Sequence, residues 1–130
     1  MRINKLRLIL FFVLVNSIIS GAYAQVLKGR LLYGHLGAPK VKVIIAPRTK
    51  SNELITEDNF FYGDNQELLQ KMNAIVTVTN ADGYYFFNDI KQGKYIIKVC
   101  EPYGVTYKFS ISEDNYNFKL IPDLHAVSQE

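Results

Sequence analysis

The chain has 130 residues, with 15 Lys+Arg against 12 Asp+Glu, one Cys, nine Tyr, eight Phe and no Trp. Three of the basic residues, Arg2, Lys5 and Arg7, fall in the first 24 positions, which hold no acid, so the rest of the chain balances at 12 against 12. That balance excludes a nucleic-acid footprint, the lone Cys100 excludes an internal disulfide, and the remaining length of about 106 residues suits one domain with one core.

The basic start is followed by an apolar run from Leu8 to Val15 and by Ala22-Tyr23-Ala24 before Gln25. A basic n-region, a short apolar h-region and an A-x-A site predict a secretory signal peptide over residues 1–24. The apolar run is shorter than the ~20 residues of a membrane span, and no second run follows. The expected product is exported, periplasmic or extracellular, with no membrane span after cleavage. Gln25 after the expected cleavage point excludes a lipid-modified cysteine there.

Residues 26–33 (VLKGRLLY) predict a first strand with Leu27, Gly29, Leu31 and Tyr33 on one face. Gly34, Gly37 and Pro39 break it, and residues 41–46 resume as a second strand that Pro47 ends. Residues 48–73 form a long insertion. It is polar at Arg48 to Glu53, aromatic at Phe60-Phe61-Tyr62, and helix-like from Asn65 to Met72, with Asp64 or Asn65 as its cap. The expected role of the aromatic triplet is a lid on the core or a partner-binding patch.

A third strand (74–79) and a fourth (84–87) flank Asn80-Ala81-Asp82-Gly83, a strong hairpin signal. Pairing the two strands across that turn sorts Val76, Val78, Tyr85 and Phe87 to one face and Thr77, Thr79, Tyr84 and Phe86 to the other. Strand five (94–100) alternates Tyr95, Ile97 and Val99 against Ile96, Lys98 and Cys100, with Cys100 read as a small apolar residue near the sheet edge. Strand six covers 105–111 and strand seven 116–121. Residues 123–130 read as a polar, frayed tail. Short strands at this spacing predict a sandwich.

Leu27-Lys28-Gly29-Arg30-Leu31, Gly37-Ala38-Pro39-Lys40-Val41-Lys42-Val43, Asp82-Gly83-Tyr84-Tyr85-Phe86-Phe87 and Gly93-Lys94-Tyr95 occur in that order. This succession resembles the carboxypeptidase regulatory-like family over residues 26 to 104. The resemblance implies an all-β fold, a seven-stranded antiparallel β-sandwich of transthyretin-like (prealbumin-like) form over residues 25–122, and a non-enzymatic accessory or adhesion role. It brings no catalytic residues. The insertion at 48–73, and Lys40 where the family often carries an apolar residue, depart from the pattern.

Chemistry-bearing residues are few. The only histidines are His35 and His125; G-x-S-x-G, P-loop and H-E-x-x-H motifs are absent. The Tyr-Arg-Gly-Ser ending of hydroxyisourate hydrolases is missing, as is the two-Tyr, two-His ligand spacing of intradiol dioxygenases. Asn80, Asp82, Asn88 and Asp89 are turn formers before they are calcium ligands. The reading is therefore a non-catalytic binding or structural accessory module of the cell envelope, with no cofactor and no metal. Its partner is a protein or glycan and its contact residues are Phe60, Phe61, Tyr62, Tyr84 and Phe86. The alternative is a small secreted enzyme using His35 or His125 with a tyrosine.

Overall fold

The computed structural model describes residues 26–58, 61–100, 103–112 and 118–126. The expected signal peptide, Phe60 and the last four residues of the expected tail lie outside them. The described residues form nine strands and two helices. Burial alternates with period two along residues 26–33, 84–87 and 106–111 and sets which side of the backbone faces the interior, whereas residues 42–47 and 93–99 each hold four consecutive buried residues, covered on both faces.

The first sheet is organised around β1 (Val26–Tyr33), whose odd-numbered residues Leu27, Gly29 and Leu31 are buried, as the alternation predicts. Tyr33 is exposed instead, because it stands at the strand end. One edge of β1 takes β2 (Leu36–Gly37) and β5 (Tyr84–Phe87), both antiparallel. The other takes β8 (Phe118–Leu120) and β9 (Leu124–His125), both parallel to β1. The second sheet runs in the order β4 (Ile75–Val78), β3 (Lys42–Pro47), β6 (Gly93–Val99), β7 (Thr106–Ile111), all antiparallel. Between the sheets lie Leu27, Leu31, Val43, Ile45, Tyr85, Phe87, Ile97, Val99, Phe109 and Ile111, all buried. This is an all-β sandwich.

Three expectations are corrected. The strands flanking Asn80–Gly83 do not pair with each other: β4 hydrogen-bonds to β3 and β5 to β1, so the turn is an arch between sheets. The turn itself forms, with the Asn80 N–H donating to Tyr84 O at 2.8 Å and the Gly83 N–H to Asn80 O at 3.0 Å. Gly83 O then accepts from Leu31 N at 2.8 Å and hooks the arch onto β1. Gly83 has φ +85, and a Cβ there would run into the Leu31 carbonyl, so only glycine fits.

Within β4 the face assignment is inverted. Val76 is 37% and Val78 51% exposed, whereas Thr79, just beyond the strand, is 3% exposed. Thr79 Oγ1 donates to Ala38 O at 2.6 Å and accepts from Val41 N at 2.9 Å, so this threonine is buried with its polar atom satisfied. Alternation marks faces but not partners, and a period-2 run next to an N-A-D-G turn is equally compatible with hairpin and arch.

The third correction concerns parallel pairing and the tail. The chain leaves β7 in the second sheet and returns to the far edge of β1 in the first, arriving parallel to it, so the sandwich is not wholly antiparallel. Residues 124–126 of the expected frayed tail are held in place: Leu124 is 7% exposed and packs in the main core, and the Ala126 N–H donates to Leu32 O at 2.8 Å.

The insertion covers the outer side of the second sheet. Two seven-residue helices, α1 (Lys50–Thr56) and α2 (Gln66–Met72), start at polar caps: Thr49 accepts from the Asn52 N–H, and Asn65 from the Leu68 N–H. Leu69 and Met72 of α2 pack with Phe61 on Ile44, Ala46 and Cys100, forming a second, smaller core. Asn52 ties the insertion down. Its side-chain amide donates to Pro47 O at 2.8 Å and Met72 O at 3.0 Å, joining the ends of β3 and α2 through one buried residue.

Candidate functional site

The sandwich places the expected contact residues on opposite sides. Inward burial of Tyr85 and Phe87 forces Tyr84 and Phe86 onto the outer face of the first sheet. Phe61 sits in the small core outside the second sheet at 6% exposure, so it packs rather than presents a surface. Tyr62 is 54% exposed and lines a cleft beside Lys40 and Lys42. Phe60 lies outside the described residues. The five residues therefore do not form one contact surface.

Two residues that sequence reasoning passed over complete the Tyr84–Phe86 face. In the β1–β5 register Lys28 stands opposite Phe86 and Arg30 opposite Tyr84. Lys28 Nζ lies 4.6 Å from the Tyr84 ring centroid and 5.8 Å from that of Phe86, and Arg30 Cζ lies 4.9 Å from that of Tyr84. The ring quadrupoles attract both cations, each contact being worth about 0.5–1 kcal/mol at an exposed site. Arg30 is further fixed by donating from Nε to Asp82 O at 2.9 Å. On the other side of Lys28 stands Leu120, its partner in the β1–β8 register and 66% exposed. The sequence signal for the cations was the K-x-R alternation in β1, which sends Lys28 and Arg30 to the same side.

The inward neighbour of this face is chemically distinct. Tyr85 is fully buried, its ring lies over Gly29, and a Cβ at position 29 would overlap the phenol. Its hydroxyl has no hydrogen-bond partner among the described residues. Burial pushes the phenol well above the ordinary tyrosine range, and Tyr107 and Asp123 add to the shift.

His35 sits in the turn between β1 and β2, and His125 stands opposite Leu32 in β9, both exposed. Among the described residues no group of three or more His, Cys, Asp or Glu is arranged to hold a metal. Asn80 Oδ1 accepts from the N–H groups of Asp82 and Tyr84, both at 3.0 Å, so it is engaged in shaping its own turn. No described helix is long and apolar enough to cross a membrane.

No family model matches the chain, and a search of curated proteins gives no match. Solved structures similar to it include pilin subunits. A proposed carbohydrate-binding protein from Pseudomonas aeruginosa is 15% identical with a TM-score of 0.48, over 78% of this chain and 90% of that one. The major pilin subunit of Bacillus cereus is 9% identical with a TM-score of 0.49, over 80% of this chain and 30% of that one. (S)-allantoin synthase is 12% identical with a TM-score of 0.47, over 81% of this chain and 41% of that one. This chain thus spans less than half the length of the last two.

Proposed function

We propose that the protein is an exported, non-catalytic module of the cell envelope, a sandwich of transthyretin-like arrangement that binds or scaffolds a partner through the outer face of its first sheet. The observation that carries this reading is the pairing of exposed aromatics with two held cations. Phe86 is 44% exposed beside Tyr84, with Lys28 and Arg30 lying over their rings. Exposed apolar area of this kind on a sheet face marks a contact surface, and aromatic residues with Arg are enriched at protein interfaces.

The partner's chemistry follows from the same residues. Lys28 and Arg30 favour acidic groups opposite them, and Leu120 and Phe86 supply apolar area with no donor or acceptor for sugar hydroxyls. An acidic protein surface fits this face better than a glycan. The test is crosslinking in the native envelope with the Tyr84→Ser, Phe86→Ser double variant. Capture of a protein partner should fall at least tenfold while the melting temperature stays within about 3 °C, as for surface substitutions. Unchanged capture, or capture lost together with the fold, overturns the reading, as does a species whose capture depends on Tyr84 and Phe86 and that proves to be polysaccharide.

A further inference from the structure

The bend between β2 and β3, the segment entering α2 and the segment leading to β7 flank an open cleft of about 380 Å³ lined by Lys40, Lys42, Tyr62, Asp64 and Tyr103 together with Pro39 and Val41. Lys40 is the informative residue. Its φ is +56, the left-handed region that costs a residue bearing a Cβ about 1–2 kcal/mol. Buried hydrogen bonds hold it there: its N–H donates to Thr79 O at 3.0 Å, and the Thr79 hydroxyl fastens Ala38 and Val41 on either side.

A glycine would take this bend at lower cost, and here a lysine occupies it against the local backbone preference. Such strain, maintained by its surroundings, points from the outlier toward a use. Among the described residues the ammonium groups of Lys40 and Lys42 have no acidic partner, and the Asp64 carboxylate has no cationic one. The Tyr103 ring is braced edge-on against Tyr33, with centroids 5.9 Å apart at 65°.

We infer that this cleft binds an acidic saccharide of the uronic-acid type. Lys40 and Lys42 take the carboxylate. The Tyr62 and Tyr103 rings offer faces to the C–H side of a pyranose, and the Asp64 carboxylate accepts from a sugar hydroxyl. A run of glutamates carries similar charge but no hydroxyls, so it leaves the Asp64 carboxylate facing anions with no hydroxyl donor to accept from. The cleft lies apart from the Tyr84–Phe86 face, so the two sites stand or fall separately.

The test is an amide-resolved NMR titration of the protein with tri-galacturonic acid, with galactotriose and tri-glutamate as comparisons. Saturable shifts are expected at Lys40, Lys42, Tyr62, Asp64 and Tyr103 with tri-galacturonic acid, at least tenfold weaker binding of galactotriose, and no saturable shifts there with tri-glutamate. Lys40→Gly separates function from folding: it should raise the melting temperature by relieving the bend while weakening tri-galacturonic acid at least tenfold. Lys94→Ala, which removes one positive charge elsewhere, should leave the affinity unchanged. The inference is overturned if tri-galacturonic acid gives no saturable shifts in the cleft, if tri-glutamate binds there equally well, or if Lys40→Gly keeps its affinity.

Discussion

Tyr85→Phe should make the protein more stable. The Tyr85 hydroxyl is buried between the sheets with no partner among the described residues, and an unsatisfied buried hydroxyl costs about 1–3 kcal/mol. The phenylalanine ring keeps the contacts with Phe87, whose centroid is 6.0 Å away, and vacates the space of one oxygen, a loss of about 0.5 kcal/mol. The net gain of about 1–2 kcal/mol corresponds to a melting temperature higher by roughly 5–10 °C in a domain of this size. Denaturant unfolding across pH 7 to 11 gives a second readout. The folded-state pKa of Tyr85 is raised, so its contribution is fully present below the unfolded value of about 10 and is lost as pH rises above it, at up to about 1.4 kcal/mol per pH unit. The variant should lose that part of the alkaline slope and retain the part due to Tyr95, whose phenol is also raised by burial. A variant less stable than the parent by 1 kcal/mol or more, with its alkaline slope unchanged, would show that the hydroxyl has a partner and refute the reasoning.

Three further outcomes follow from the packing. Asn52→Ala strands the Pro47 and Met72 carbonyls and should cost about 2–3 kcal/mol in urea unfolding; a cost below 0.5 kcal/mol would mean the helices are not tied through this residue. Gly83→Ala forces a Cβ into a positive-φ site against the Leu31 carbonyl and should lower stability by at least about 1–3 kcal/mol, whereas Ala81→Gly in the same turn should change it far less. In hydrogen exchange the Val76 and Val78 amides, which point away from β3 at the sheet edge, should exchange orders of magnitude faster than those of Ile97 and Val99 in the sheet centre. Equal protection would mean that something covers the β4 edge.

The sequence marks individual strands far better than their neighbours. Each of the seven expected strands has a counterpart shifted by at most two residues at either end, because alternation and turn residues are local signals. Pairing is not local. The Asn80–Gly83 turn reads as a hairpin until Leu31, far earlier in the chain, is seen to bond Gly83, and no periodicity carries that information. The inversion of β4 has a related cause: valine outranks threonine as a core residue only while the threonine hydroxyl lacks partners, and Thr79 finds two on a distant bend. The helix α1 was missed because seven polar-leaning residues make too weak a period. Of the candidate site, Tyr84 and Phe86 were legible from alternation. Their cations needed the β1–β5 register, and the strain at Lys40 is visible only in the backbone.

The strand at the centre of the first sheet imposes an order on biogenesis. β1 is among the first described segments to be made, yet both strands along one of its edges, β8 and β9, come from the other end of the described chain. During synthesis that edge stays unpaired until residue 126 has emerged, which leaves Leu27 and Leu31 without the Ile121 and Leu124 side chains of the same core. A fragment ending near residue 112 should accordingly be more protease-sensitive than the full chain, and the closing step of folding belongs to the last nine described residues, 118–126.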